Sequence, residues 1–194
     1  DEMFAGYYLH HMCYLISNQR DKKFKNFYNQ WERFTKPLIK TKILSDFSYF
    51  KTQLINKNYS FHEKGEVKKY LRSKKTPKIS TKKYSNNFFR NQLSLDLFEH
   101  SVPPHNLSAD QISMHFSIEN RNPFLARDIF SFTNSLPDHY LIQDGFGKRI
   151  LRDALKTIVP GSILKFREKI GFYANLKEFF DIKNKKFKDK LYQS

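Results

Sequence analysis

Cysteine is almost missing from this chain, with Cys13 the single one among 194 residues. An internal disulfide is excluded, and no metal-ligating residues group around the thiol, so a reducing, cytoplasmic setting is expected. Glycine is scarce, with six residues, and no apolar run reaches the roughly 18 residues that a membrane-crossing helix needs. Neither a membrane partner nor a secretory leader is expected. Strand-like alternation is rare, so helix signals carry the reading. Acidic groups are outnumbered, 19 against 35 Lys and Arg, which leaves a net charge of +16. Such a surplus ordinarily implies a polyanionic partner. Only nine of the basic residues are arginine, however, and Lys, Asn, Ile, Phe and Tyr are abundant throughout. The charge therefore reads as compositional bias, and a basic helical nucleic-acid-binding module is kept as the rival reading.

Most of the informative sequence lies between Ser113 and Phe172. Asn122 before Pro123 reads as a helix entry, with Asn as cap and Pro at the first helical position. Phe124, Leu125, Ile129, Phe130 and Phe132 would form its apolar face. Further on, Gly145 and Gly147 precede a helix with the stripe Ile150, Leu151, Ala154, Leu155 and Ile158, stopped by Pro160-Gly161. Lys148 and Arg149 then fall in its first turn, where cations oppose the helix dipole at roughly 0.3 to 1 kcal/mol each. A bound anion would remove that conflict, because free N–H groups, a glycine-rich approach and a lysine make a phosphate-sized site. Spacing alone favours a plainer alternative, in which Lys148 and Arg152 form one solvated helix face.

Three blocks occur in order: Ser113-Met114-x-x-Ser117-Ile118-Glu119-x-Arg121-x-Pro123-Phe124-Leu125, Asp144-Gly145-x-x-Lys148-x-x-Leu151-Arg152, and Arg167-x-Lys169-x-Gly171-Phe172. Together they resemble the synthetase domain of glutamine-dependent asparagine synthetases, and Asp1 to Tyr7 is similar to that family's Asp-Glu-Leu-Phe-Gly-Gly-Tyr segment. The resemblance is strong over Asp1 to Tyr8 and about Leu93 to Asn175, and weak between them. It implies a mainly α chain, the helical C-terminal portion of an α/β, PP-loop ATP pyrophosphatase-like synthetase domain whose parallel sheet lies upstream. It also implies that ATP, with Mg²⁺, adenylates the side-chain carboxylate of aspartate. Ammonia, released from glutamine by an upstream glutaminase domain, would then displace AMP to give asparagine.

Carried onto this sequence, the resemblance makes Asp1 the candidate Mg²⁺ ligand, an oxygen donor suited to a hard ion. Glu2 becomes a nucleotide-site neighbour and Lys148 the catalytic cation. Glu119 and Arg121 lie on a segment beside the family's active site, although their spacing first suits an ion pair that shapes the turn into Pro123. Relatives that close β-lactam or peptide rings leave the acceptor open, and a homodimer is compatible. The chain departs from the pattern at Ala126, where Asp is usual, and at Asn175, where Pro is common. The family's Ser-Gly-Gly-x-Asp-Ser loop and N-terminal cysteine nucleophile are absent, and there is no initiator methionine. A fragment, inactive alone, is therefore expected.

The expected divisions are 1–20, the end of a nucleotide-site loop and a first helix; 21–84, a variable helical and basic region; 85–180, the motif-bearing helical core; and 181–194, a basic tail. Asp1 and Glu2 would open a helix running through Phe4, Tyr8, His11, Met12, Leu15 and Ile16, with His10, His11 and Cys13 as ordinary helix residues. Phe24, Phe27, Tyr28, Trp31 and Phe34 recur at the period of one helix face, which marks them as core, and Lys36-Pro37 ends that helix. Ile43, Phe47, Phe50 and Leu54 mark another. Arg72 to Lys83 reads as a surface loop. Ser85 would cap a helix through Phe89, Leu93 and Leu97, Pro103-Pro104 would interrupt, and Ser108 with Gln111 would form a capping box. Lys183 to Lys190 fits a short amphipathic helix or a fraying tail.

If the charge is bias, duplex DNA should bind weakly at physiological salt and without sequence preference, as read by fluorescence anisotropy. A specific complex that survives 200 mM salt, with log K falling steeply against log salt below it, would favour the nucleic-acid reading instead.

Overall fold

The computed structural model describes residues 1–55 and 82–170, together with residue 189. Most of the basic loop from Arg72, the Gly171-Phe172 pair, Asn175 and the expected tail helix lie outside the described residues. Nine α-helices are described: α1 Tyr8–Ser17, α2 Phe24–Gln30, α3 Lys42–Ser45, α4 Phe47–Ile55, α5 Phe88–Leu95, α6 Val102–His115, α7 Arg127–Ser135, α8 Arg149–Ala154 and α9 Gly161–Lys165. Two run on into wider π turns, α2 through Trp31–Thr35 and α5 through Asp96–His100. Among the described residues there is no strand, only an isolated bridge between Gln143 and Phe146, so the expected mainly helical class holds. No described helix is long and apolar enough to cross a membrane.

The core forms around α1, which is buried over Leu9 to Leu15. Its Tyr14 ring meets Phe27 at 5.2 Å and Phe89 at 5.5 Å, both near edge-on, so one aromatic ties α1 to α2 and α5. Such pairs add about 0.5 to 1.5 kcal/mol beyond the area they bury. Of the expected aromatic stripe, Phe24, Phe27, Tyr28 and Trp31 are core, joined by Phe47 and Phe50 of α4, whereas Phe34 lies outside that cluster with the Arg167 guanidinium 4.3 Å from its ring centre.

Several boundaries differ from expectation, each for a local reason. Asp1 and Glu2 do not open α1. Ala5 turns left-handed at φ 55°, the Gly6 N–H donates back to the Asp1 carbonyl at 2.8 Å, and the helix starts only at Tyr8. Asp46, in extended conformation, splits the second aromatic segment into α3 and α4. The cap of α5 is Asn87, whose Oδ1 accepts from the Arg90 N–H at 3.1 Å, while Ser85 accepts from Asn87 itself. Pro103 and Pro104 start α6 instead of interrupting, because a first turn needs no donor from them. Ser108 and Gln111 are consequently mid-helix and form no capping box. Pro123 opens only the 3₁₀ turn Pro123–Leu125; Ala126 is extended, and α7 begins at Arg127. Pro160 precedes α9 and does not end α8, which stops at Ala154.

His10 and Arg90 each join distant parts of the chain. Buried His10 accepts the Tyr7 N–H on Nδ1 at 3.3 Å, so its Nε2–H donates to Asp96 at 2.9 Å. Reading His10 as a plain helix residue thus misses a tie from α1 to the end of α5. Arg90 donates to Asp138 at 2.5 Å, to the Thr133 carbonyl at 3.1 Å and to the Leu136 carbonyl, which clamps α5 to the end of α7. Arg90→Ala should therefore cost about 3 kcal/mol in urea unfolding, since it leaves one Asp138 oxygen and two carbonyls without Arg90, Asn87 still donating to the other oxygen at 3.0 Å. Arg90→Lys should recover only part of that, because an ammonium cannot reproduce the fork.

A candidate anion-binding cleft

The site begins with two stretches of backbone pressed together. The Lys148 N–H donates to the Phe4 carbonyl at 2.9 Å. A Cβ on Gly147 would stand 2.3 Å from the Ala5 carbonyl oxygen, so only glycine allows that approach. Lys148 itself is left-handed, at φ 57°, and is the N-cap of the six-residue α8. It is therefore not in a helical first turn, and its fit to an anion comes from the side chain and not from a helix dipole.

From this position the Lys148 ammonium contacts one oxygen of the Asp1 carboxylate. Gly6 leaves room for the pair, since a Cβ there would lie 2.5 Å from both Asp1 Oδ1 and Lys148 Cε. The other Asp1 oxygen takes the Lys169 ammonium at 2.6 Å. Lys169 also lies 3.2 Å from the centre of the Tyr7 ring, and its backbone N–H donates to Tyr8 Oη at 3.0 Å. Arg167 is held by the Asp144 carbonyl at 2.8 Å and stacks 3.5 Å from the Phe146 centroid. Arg152 donates to the Gly147 carbonyl at 3.1 Å and to the Leu164 carbonyl at 2.6 Å. Half-buried and occupied in this way, Arg152 does not share a solvated helix face with Lys148.

These four cations line a cleft of about 90 Å³, together with Gly6, the Gly145 to Gly147 backbone, buried His11 and Thr35, and one carboxylate, Glu168. Burial, and then the neighbouring Arg152, push the Lys148 ammonium below its usual range, with Glu2 pulling the other way. Burial, and then Lys148, bring Lys169 down to about 8, again opposed by Glu2. Burial pushes the Glu2 carboxyl up, but hydrogen bonds from Tyr7 Oη at 2.7 Å and Ser101 Oγ at 2.8 Å outweigh it and hold the group below the usual carboxylate range. Glu2 is thus a fixed anion beside the cleft. A space of this size and sign can chemically hold an oxyanion.

Of the residues singled out in the sequence, Asp1 and Lys148 meet, and Glu2 sits next to them. Glu119 and Arg121 do form the expected ion pair, at 2.7 Å, but with side chains 69% and 81% exposed they line no part of the cleft. An ion pair so exposed contributes little to stability. The sequence reading did not single out Lys169, Arg152, Arg167 or His11 for the site. The signal for the first three was present, since each is a fixed position of the second or third block.

The second and third blocks thus meet the opening segment around the Asp1 carboxylate. The family model described as asparagine synthase matches residues 1–194, and the chain belongs to the asparagine synthase family. It is similar to the glutamine-hydrolyzing asparagine synthetase 1 of Bacillus subtilis, 39% identical over 66 residues, which are 34% of this chain and 10% of that protein. It is also similar to a putative glutamine-hydrolyzing asparagine synthetase of Mycobacterium tuberculosis, 41% identical over 66 residues with the same two coverages. The match thus spans about a tenth of each relative's length. No solved structure matches the chain.

The depressed Lys169 fixes the sign of a pH effect. The ammonium is lost as pH rises through about 8, so an anion of constant charge should bind more weakly there. Sulfate titrations by calorimetry should show a flat affinity below about pH 7, falling toward tenfold per unit above 8. Lys169→Gln should abolish the slope. Stability should move the opposite way, rising between about 8 and 10.5, because only the unfolded chain still binds the proton there. An affinity that stays flat to pH 10 would show that Lys169 does not face the anion.

Proposed function

We propose that this chain supplies the pyrophosphate side of an ATP-dependent synthesis of asparagine from aspartate. The observation that carries the reading is the convergence of Lys148 and Lys169, from separate blocks, on the Asp1 carboxylate. In the proposed reaction a side-chain carboxylate oxygen of aspartate attacks the α-phosphorus of ATP. The bond to the bridging oxygen breaks, pyrophosphate leaves, and β-aspartyl-AMP remains. Ammonia, delivered from glutamine by a glutaminase domain, then attacks the acyl carbon; a C–N bond forms, AMP departs and a proton is released.

Negative charge builds on the leaving oxygens in the first step, and fixed cations already in place lower that barrier without reorganisation. Lys148 and Lys169 fill this role, while Arg152 and Arg167, held by backbone carbonyls, shape the wall behind them. Asp1 holds both ammonium groups at the cleft.

Mg²⁺ fits as an ion shared with substrate. It takes one or two protein carboxylates and completes its shell with phosphate oxygens and water, and Asp1 is the donor on offer. Both Asp1 oxygens carry an ammonium here, so a dication would displace one of them. Among the described residues no group of three or more acidic, His or Cys side chains could hold a metal alone. When bound, Mg²⁺ would supply further positive charge to the phosphates.

ATP–pyrophosphate exchange dependent on aspartate tests the reading in the intact protein. Lys148→Ala should lower exchange about 10² to 10³-fold, the cost of one deleted oxyanion donor. Lys148→Arg should also be poor, since a planar fork does not replace a compact ammonium. Glutamine hydrolysis, measured alongside, should survive in both. Exchange at the wild-type rate in Lys148→Ala would sink the assignment, and exchange driven by another carboxylic acid but not aspartate would change the acceptor.

A further inference from the structure

His11 is 6% exposed and lines the cleft with Lys148, Arg152 and Arg167. Its neighbour His10 uses both ring nitrogens, on Tyr7 and Asp96. The His11 ring, by contrast, has no hydrogen-bond partner among the described residues. Its Nε2 lies 3.5 Å from the point where a Gly147 Cβ would stand, beside the close approach of Gly147 to the Ala5 carbonyl. Among the described residues the fully buried side-chain nitrogen without a partner is Trp31 Nε1, so the His11 nitrogens are not sealed off, and the cleft the ring lines is where a partner can reach them. Burial, then His10 and Arg167, bring the ring down to about 3, so it meets that partner uncharged. A neutral imidazole keeps one N–H donor and one lone pair. Lined by four cations, the cleft favours an anion, toward which the donor is the useful half.

We infer that His11 is a binding residue of the cleft, donating its Nε2–H to an oxygen of a phosphate-type oxyanion held by Lys148, Lys169, Arg152 and Arg167. The cations supply attraction at any orientation. The imidazole, fixed by the packing of α1, supplies a direction and sets which oxygen faces the core. The site itself stands on the cleft geometry, and only the choice of pyrophosphate over free phosphate rests on the proposed function.

Calorimetric titration of the intact protein with inorganic phosphate, pyrophosphate and ATP, for wild type, Lys148→Ala, His11→Phe and His11→Gln, separates the two claims. The expected result is that His11→Phe weakens pyrophosphate binding about tenfold. His11→Gln, which can place an amide nitrogen near the Nε2 position, should recover most of that loss. If wild type binds none of the three anions, the cleft is not an oxyanion site and both readings fail. If wild type binds, Lys148→Ala weakens binding and His11→Phe matches wild type, His11 alone is removed from the site. Should His11→Phe not fold, judged by circular dichroism, the ¹⁵N-labelled wild type decides. A His11 Nε2–H resonance that shifts on adding pyrophosphate supports the contact, and one that stays in place overturns it. Tighter binding of phosphate than of pyrophosphate would retain the site and reassign its ligand to a single phosphate group.

Discussion

One backbone hydrogen bond, from the Lys148 N–H to the Phe4 carbonyl, holds the two halves of the cleft in register. Phe4 and Ala5 are buried on one side of it and Leu141 and Ile142 on the other, so the bond sits in a dry environment where it is hard to replace by water. Gly147 lets the two segments come close enough to make it, and Lys148 accepts a left-handed backbone to continue into α8. Ala5 and Asp144 are left-handed as well. Each such residue costs roughly 1 to 2 kcal/mol when it carries a Cβ, so the packing around them must hold the strain. At Ala5, where the family pattern has glycine, this chain bears a cost that a glycine would avoid. Strain concentrated beside a cluster of charges is the usual signature of a site that geometry serves before stability.

A second layer fixes that geometry from behind. Asp96 accepts from His10 on one oxygen and from Gln92 on the other, at 2.9 Å each. His10 in turn receives the Tyr7 N–H, and the Tyr7 hydroxyl donates to Glu2. Burial pushes His10 down despite the carboxylate beside it, which keeps the ring neutral and its hydrogen bonds directional. Through these contacts the end of α5 and the start of α6 set the position of Glu2, and through the chain that of Asp1. Removing Asp96 would therefore disturb a carboxylate three contacts away.

Helical class and aromatic core were legible in the sequence because a period of one helix face needs no knowledge of distant partners. Lys148 was singled out as a first-turn cation, whereas the fold makes it the left-handed N-cap of α8. What could not be read was set by tertiary pairing. Nothing local to His10 points to Asp96, and nothing local to Asp1 says that two lysines more than a hundred residues away will share its carboxylate. The proline pairs misled for a related reason, since Pro103 and Pro104 are equally compatible with ending one helix and starting another. Propensity alone does not choose between those until the preceding residues turn, as Ser101 does here at ψ −61°. Lys169 was hidden because its weight comes from where α9 returns the chain, although its block was recognised.

The net charge of +16 takes on a different meaning once the cleft is seen. Spread over a surface, such charge is screened beyond a distance of about 8 Å at physiological salt and has little consequence. Gathered around 90 Å³, four cations repel one another, and burial first and then that repulsion lower the ionisation of Lys148 and Lys169. Asp1 relieves it only in part, because one carboxylate is shared by two ammonium groups. A fold that keeps like charges together at a cost in stability has a site whose electrostatics improve when a multivalent anion enters. An anion entering there would draw on repulsion already present in the native state.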